Sequence, residues 1–134
     1  AETGHLVLAT VHTNSAAQTV DRIIDVFPEH QQEQVRSQFA NAIEAIMAQR
    51  LVPSLKQGRV AATEILLGTP AVRNTIREGK THQIDSIIQT SAELGMVTLE
   101  ASLAAWVKSG EISGQVAQTF ALRPSELQRL ISGK

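Results

Sequence analysis

Cysteine is absent. That excludes disulfides and cysteine-based zinc sites, and it fits a reducing compartment. Aromatic side chains are nearly as scarce, with only Phe27, Phe39, Phe120 and Trp106 present. The core is therefore expected to be aliphatic, built from Ile, Leu, Val and Ala. Charge of one sign is also missing. A net charge of −1 gives no long-range field for a polyanion, so nucleic-acid binding is disfavoured. The longest clearly apolar run, Leu6 to Val11, falls far short of the roughly 20 residues of a transmembrane segment. No basic-then-apolar leader opens the sequence, and a cytoplasmic protein is the expectation. Nor is there a Gly-x-x-x-x-Gly-Lys-Ser/Thr loop, an apolar strand ending in paired acids, or a Ser-His-Asp arrangement. On its own the chain carries no recognisable catalytic machinery.

What is there describes an ordinary folded protein. The 134 residues are 43% hydrophobic and 19% charged, enough for one domain that buries roughly two-thirds of its unfolded surface. Ala1 to Gly4 reads as the end of a helix with its C-cap glycine, so a piece of a longer chain is expected. His5 to His12 reads as a strand. Its apolar residues follow one another without alternating, the pattern of a strand covered on both faces. Such a strand needs neighbours, and these are expected before Ala1 or from a second chain.

Thr13-Asn14-Ser15 leads into a helix, with Asn14 or Thr13 as the expected N-cap and Ala16, Val20, Ile23, Ile24 and Phe27 inward. Pro28 separates it from a second helix. Val35, Phe39, Ala42, Ile43, Ile46 and Met47 form the stripe of that helix, which is expected to stop before Pro53. Leu51 to Leu55 and Arg59 to Leu67 flank Gln57-Gly58 as a hairpin. The remainder is expected to be helical. Thr69-Pro70 opens a short helix that Gly79 closes. Thr81, Thr98, Ser113 and Pro124 open the others. The fold class is α/β with an all-helical C-terminal part.

Two places invite chemistry. The carboxyl end of the first strand presents His12, Thr13, Asn14 and Ser15 just before a helix N-terminus. Hydroxyls, an imidazole and backbone N–H groups there suit an anionic oxygen. The same residues serve equally as helix caps beside a structural histidine, and position alone leaves both open. A metal shared by His5 and His12 is excluded if the strand forms. Seven residues separate them, so they leave opposite faces about 23 Å apart at ~3.3 Å per residue. His30 and His82 lie among polar residues and are expected to be solvated. The second place is Ala71-Val72-Arg73-Asn74-Thr75-Ile76-Arg77-Glu78. Val72 and Ile76 anchor it, with Arg73 and Arg77 one turn apart. They form either a solvated charged face or a pair presented to a carboxylate partner.

These segments resemble a known family. Thr3 to Val7 followed by Thr10 to Thr13 resembles the histidine box of the secretion-type ATPases, which drive type II secretion and type IV pili. Asp21 to Pro28 resembles the segment that follows it in the pilus-retraction branch. Residues 71–78 resemble that branch's AIRNLIRE retraction motif, departing from it at Val72 and Thr75. Leu94 to Glu100 resembles a further signature of the family. The resemblance implies a hexameric motor ATPase that couples ATP hydrolysis to pilus retraction, with residues 1–68 from the C-terminal portion of its RecA-like core. Residues 69–134 would be a helical subdomain carrying the retraction motif. It further implies that His12 contacts the γ-phosphate or its surroundings, that His5 is the other histidine of the box, and that Thr13 is nucleotide-adjacent. ATP with Mg2+ is the implied cofactor of the intact subunit, with none expected for this chain alone. The implied partners are identical subunits in a homo-hexamer and an inner-membrane pilus platform protein, and the location is the cytoplasmic face of that membrane.

Three other readings compete. A pilus-extension or type II secretion ATPase would typically carry a four-cysteine zinc motif, and this chain has no cysteine. A helical DNA-binding module would need a basic stripe. In residues 96–134, however, Lys108, Arg123, Arg129 and Lys134 are nearly offset by Glu100, Glu111 and Glu126. The third is a small adaptor without an ATPase parent.

Overall fold

Ser15 starts the first helix because its hydroxyl accepts from the Gln18 N–H at 3.2 Å. In the computed structural model, which describes residues 1–133 and leaves Lys134 outside, this helix is α1, Ala16–Asp25. Neither Asn14 nor Thr13 is its cap, since the serine one step later has the extended backbone and the reach that capping needs. Ala16, Val20 and Ile24 are buried along one face. Helix α2, Glu29–Ala42, follows directly after Pro28.

Two expectations are corrected before the hairpin. The segment His5 to His12 forms no strand; it runs without regular pairing, with Leu6 81% and Leu8 87% exposed. A strand exists only through its neighbours, and among the described residues none lies beside this one. Helix α2 also stops at Ala42, where Ile43 turns extended. Strand β1, Ala45–Pro53, then pairs antiparallel with β2, Arg59–Leu67, at every position from Ala45↔Leu67 to Pro53↔Arg59. Ile46 and Met47 therefore belong to a strand. Pairing gives the two strands their backbone partners across the hairpin and sends Ala48 and Val52 into the interior.

The helical remainder follows its caps. Thr69 accepts from Val72 N–H and Pro70 is the first residue of α3, Pro70–Arg77, with Gly79 at φ +71° beyond its end. Single turns at Thr81–Gln83 and Ala92–Leu94 flank α4, Ile84–Thr90. Thr98 caps α5, Leu99–Lys108, and Ser113 caps α6, Gly114–Phe120. Pro124 begins α7, Pro124–Ser132. None of these helices is long and apolar enough to cross a membrane.

Two aliphatic cores form, and the hairpin reaches both. The first joins α1, α2, α3 and α4 around Ile24, Ile43, Leu66, Ile76 and Ile88. The second gathers α5, α6 and α7 around Val52, Ala62, Leu103 and Leu127. The C-terminal helices line the edge of β2. Ile65 and Val97 exchange backbone bonds of 2.8 and 3.1 Å, the Thr63 N–H donates to Ser102 Oγ at 3.0 Å, and Trp106 Nε1 donates to the Ala61 carbonyl at 2.8 Å. Within this half, Glu100 is 0% exposed. Its Oε1 accepts from the Leu122 and Arg123 N–H groups, and its Oε2 from Arg123 Nη2 at 2.7 Å and Nε at 3.2 Å.

Candidate functional site

His12 and Thr13 stand at the mouth of an open groove that continues over Asn14, Gln18, Asp21, Arg22 and Asp25. The His12 ring is exposed, and its carbonyl accepts from Arg22 Nη1 at 3.3 Å. Thr13 is half-buried, its hydroxyl sharing a 2.6 Å hydrogen bond with that of Thr19 on α1. His5 lies back along the unpaired segment, exposed, with Nδ1 sharing a 2.9 Å bond with Thr3 Oγ1. Among the described residues, no group of three or more His, Cys, Asp or Glu is placed to hold a metal ion.

The α1 N-terminus is less open to a phosphate than its sequence implies. Gln18 Oε1 takes the Asn14 N–H at 3.2 Å, Ser15 Oγ takes that of Gln18, and Glu64 Oε1 takes that of Ala16 at 2.8 Å. A carboxylate already sits where the helix dipole would favour a phosphate. The exposed His12 imidazole and the Arg22 guanidinium remain suited to an anion. Glu64 was not legible as a site residue. It is 2% exposed, and burial raises its pKa above the usual carboxylate range against the opposing bond from Ala16. The available signal was its place in the inward series Val60, Ala62, Glu64 and Leu66, a charge on an otherwise apolar strand face.

The second segment folds as helix α3 with Val72, Thr75 and Ile76 buried and Ala71 and Asn74 exposed. Its two arginines are not equivalent, and the sequence reading of a free pair is corrected. Arg73 is fully engaged. Its Nε donates to the Gly68 carbonyl at 2.7 Å, Nη1 to the carbonyls of Ala40 and Asn41, and Nη2 to Glu44 Oε1 at 2.9 Å. The last carbonyls of α2 lack partners in their own helix, and a guanidinium fork from the neighbouring helix suits them better than solvent. Arg77 remains exposed, held by one bond from Nη2 to Asn41 Oδ1 at 2.9 Å. Glu78 accepts from Asn74 and pairs with Lys80 at 2.8 Å; Lys80 and Asn74 hold its carboxyl below the ordinary range.

Residues 1–57 match the family described as Type II/IV secretion system protein. The chain is homologous to the twitching-motility ATPases of type IV pili. It is 48% identical over 124 residues to the type IV pilus retractation ATPase PilT of Pseudomonas aeruginosa, covering 92% of this chain and 36% of that protein. A twitching motility protein of Neisseria gonorrhoeae is 49% identical over 119 residues, covering 88% of this chain and 32% of its own length. The crystal structure of the pilus retraction motor PilT with bound ADP superposes with a TM-score of 0.84 at 42% identity, covering 96% of this chain and 36% of that one. The chain thus spans about a third of the length of the relatives it matches.

Proposed function

We propose that this chain is part of a pilus-retraction ATPase subunit, placing one histidine at the nucleotide and one arginine helix at the motor's output. The observation that carries this is the 48% identity to a retraction ATPase over 92% of the chain. In this reading residues 1–68 complete a RecA-like core and residues 69–134 form the helical subdomain. The exposure of Leu6 and Leu8 supports a strand whose neighbours are supplied by the rest of the subunit or by the next one. His12 would face the phosphates of ATP and Mg2+, with Thr13 steadying the turn through Thr19. His5 lies on the far side of Leu6 to Val11 and has the weaker claim. The subunits would form a homo-hexamer at the cytoplasmic face of the inner membrane, acting on a platform protein there. The 134 residues alone, without a phosphate-cradling loop, would be inactive.

The test is made in the full-length protein. His12→Ala is expected to lower kcat by about 10²-fold with little change in KM, the pattern of a contact that strengthens as phosphate charge develops. Arg77→Ala is expected to abolish twitching while leaving ATP turnover within about threefold, because no residue of α3 lines the groove and the helix would act in transmission. Lysine at this position should rescue poorly, lacking the planar fork. Equal loss of turnover and motility in the Arg77 variant would remove the coupling role from this helix.

A further inference from the structure

The bond between Glu64 and the first turn of α1 is longer in reach than any cap requires. Ser15 already caps α1 from within the same turn. The Ala16 N–H is met instead by a carboxylate 48 residues further along the chain, on the inward face of β2. Ala16 is fully buried, so its N–H needs a partner inside the protein, and the one it has gives up solvation of a carboxylate for a fixed tie between two elements. Glu64 itself is well anchored. The residues on either side of it, Thr63 and Ile65, are bonded to Ser102 and Val97 of the C-terminal half.

We propose that Glu64 is a positioning residue for the His12–Ser15 turn: through the Ala16 N–H it ties the start of α1 to β2, and so fixes where His12 and Thr13 stand. The turn has little else to hold it. The segment before it is unpaired, and the Thr13 N–H bond to the Val11 carbonyl stays within that segment. The turn's other bonds are the Thr13–Thr19 hydroxyl pair, the Arg22 donation to the His12 carbonyl, the Asn14 N–H to Gln18 Oε1, and those of Ser15 with Gln18 and Thr19. Each of these runs to α1 itself, so they move with the helix. Glu64 ties the helix start to the sheet. The kinetic consequence rests on the ATPase role proposed above, whereas the tie itself does not.

Two measurements separate them. In the 134-residue chain, Glu64→Met should speed hydrogen exchange at the Ala16 amide by about tenfold, and Glu64→Gln, which keeps an acceptor in place, should leave it nearly unchanged. Glu64→Asp keeps the charge but withdraws the oxygen by one methylene, and should behave like Met. It stands in if the Met variant fails to fold. In the full-length protein the Met and Asp variants should lose about tenfold or more in kcat with KM for ATP within about twofold, and Gln should restore most of it. Unchanged Ala16 exchange in Met and Asp, or wild-type kcat in both, overturns the proposal. If the full-length wild type hydrolyses no ATP, the ATPase reading fails and the exchange result alone decides whether Glu64 fixes the turn.

Discussion

Arg123→Met should destabilise the chain by about 3 kcal/mol, read as the loss of unfolding free energy in urea at neutral pH. The reason lies in what is left behind. Glu100 has no exposed surface, and its Oε2 depends on the guanidinium at 2.7 and 3.2 Å. Removing the arginine leaves a buried carboxylate with only the Leu122 and Arg123 N–H groups at its other oxygen. Glu126 at 3.2 Å and Asp85 at 3.8 Å lose their cation as well. The arginine is a quarter exposed, which keeps the estimate at the lower end for a broken buried pair. Glu100→Gln should cost less, because the amide oxygen still accepts from both N–H groups and the stranded guanidinium reaches water. A result in which Glu100→Gln is the worse of the two would mean that the arginine, not the carboxylate, is the group that cannot be left alone.

Gly68→Ala should cost a similar amount, about 3 kcal/mol, for a purely steric reason. A Cβ at this position would lie 2.2 Å from the Ile43 carbonyl oxygen and 3.2 Å from that of Glu44. Both are backbone atoms where α2 passes into β1, and neither swings aside as a side chain does. The neighbourhood is tied from two further directions. The Gly68 N–H donates to Glu44 O at 2.7 Å, and its carbonyl receives Arg73 Nε. Gly114→Ala is the control, since nothing lies within 4 Å of its Cβ position. Thermal midpoints of the two variants should separate by several degrees; equal midpoints would show that the open end of the hairpin, beside Ala45 and Leu67, is soft.

What the sequence made legible follows from how far each interaction reaches. Thr69, Thr98 and Ser113 cap helices with their own side chains over three residues, and Pro70 and Pro124 start them, so these boundaries could be read locally. The start of β1 could not. Ala42, Ile43, Ile46 and Met47 satisfy a helical stripe as well as a strand, and pairing with a partner up to 22 residues away, Ala45 with Leu67, decides between them. At the site, the polar run Thr13 to Ser15 was legible as the lead into a helix, whereas His12 was read as the end of a strand that does not form within these residues. The occupancy of that helix start by Glu64 was not, because a glutamate in a strand reads as solvated unless its register is known. Arg73 misled for the same reason: apart from the Gly68 carbonyl, its partners Ala40, Asn41 and Glu44 lie about 30 residues upstream, at the end of α2 and just beyond it.

The hairpin's membership of both cores bears on cooperativity. Leu66 belongs to the cluster with α1 to α4 and Ala62, four residues earlier on the same strand, to the cluster with α5 to α7. Across the pair, Ile46 and Val52 repeat the division on β1. Neither half can melt and leave the other a complete interior, because the strand that departs takes a wall of the second core with it. Heating should therefore give a single transition, with calorimetric and van't Hoff enthalpies in agreement and no plateau where one helical half survives alone.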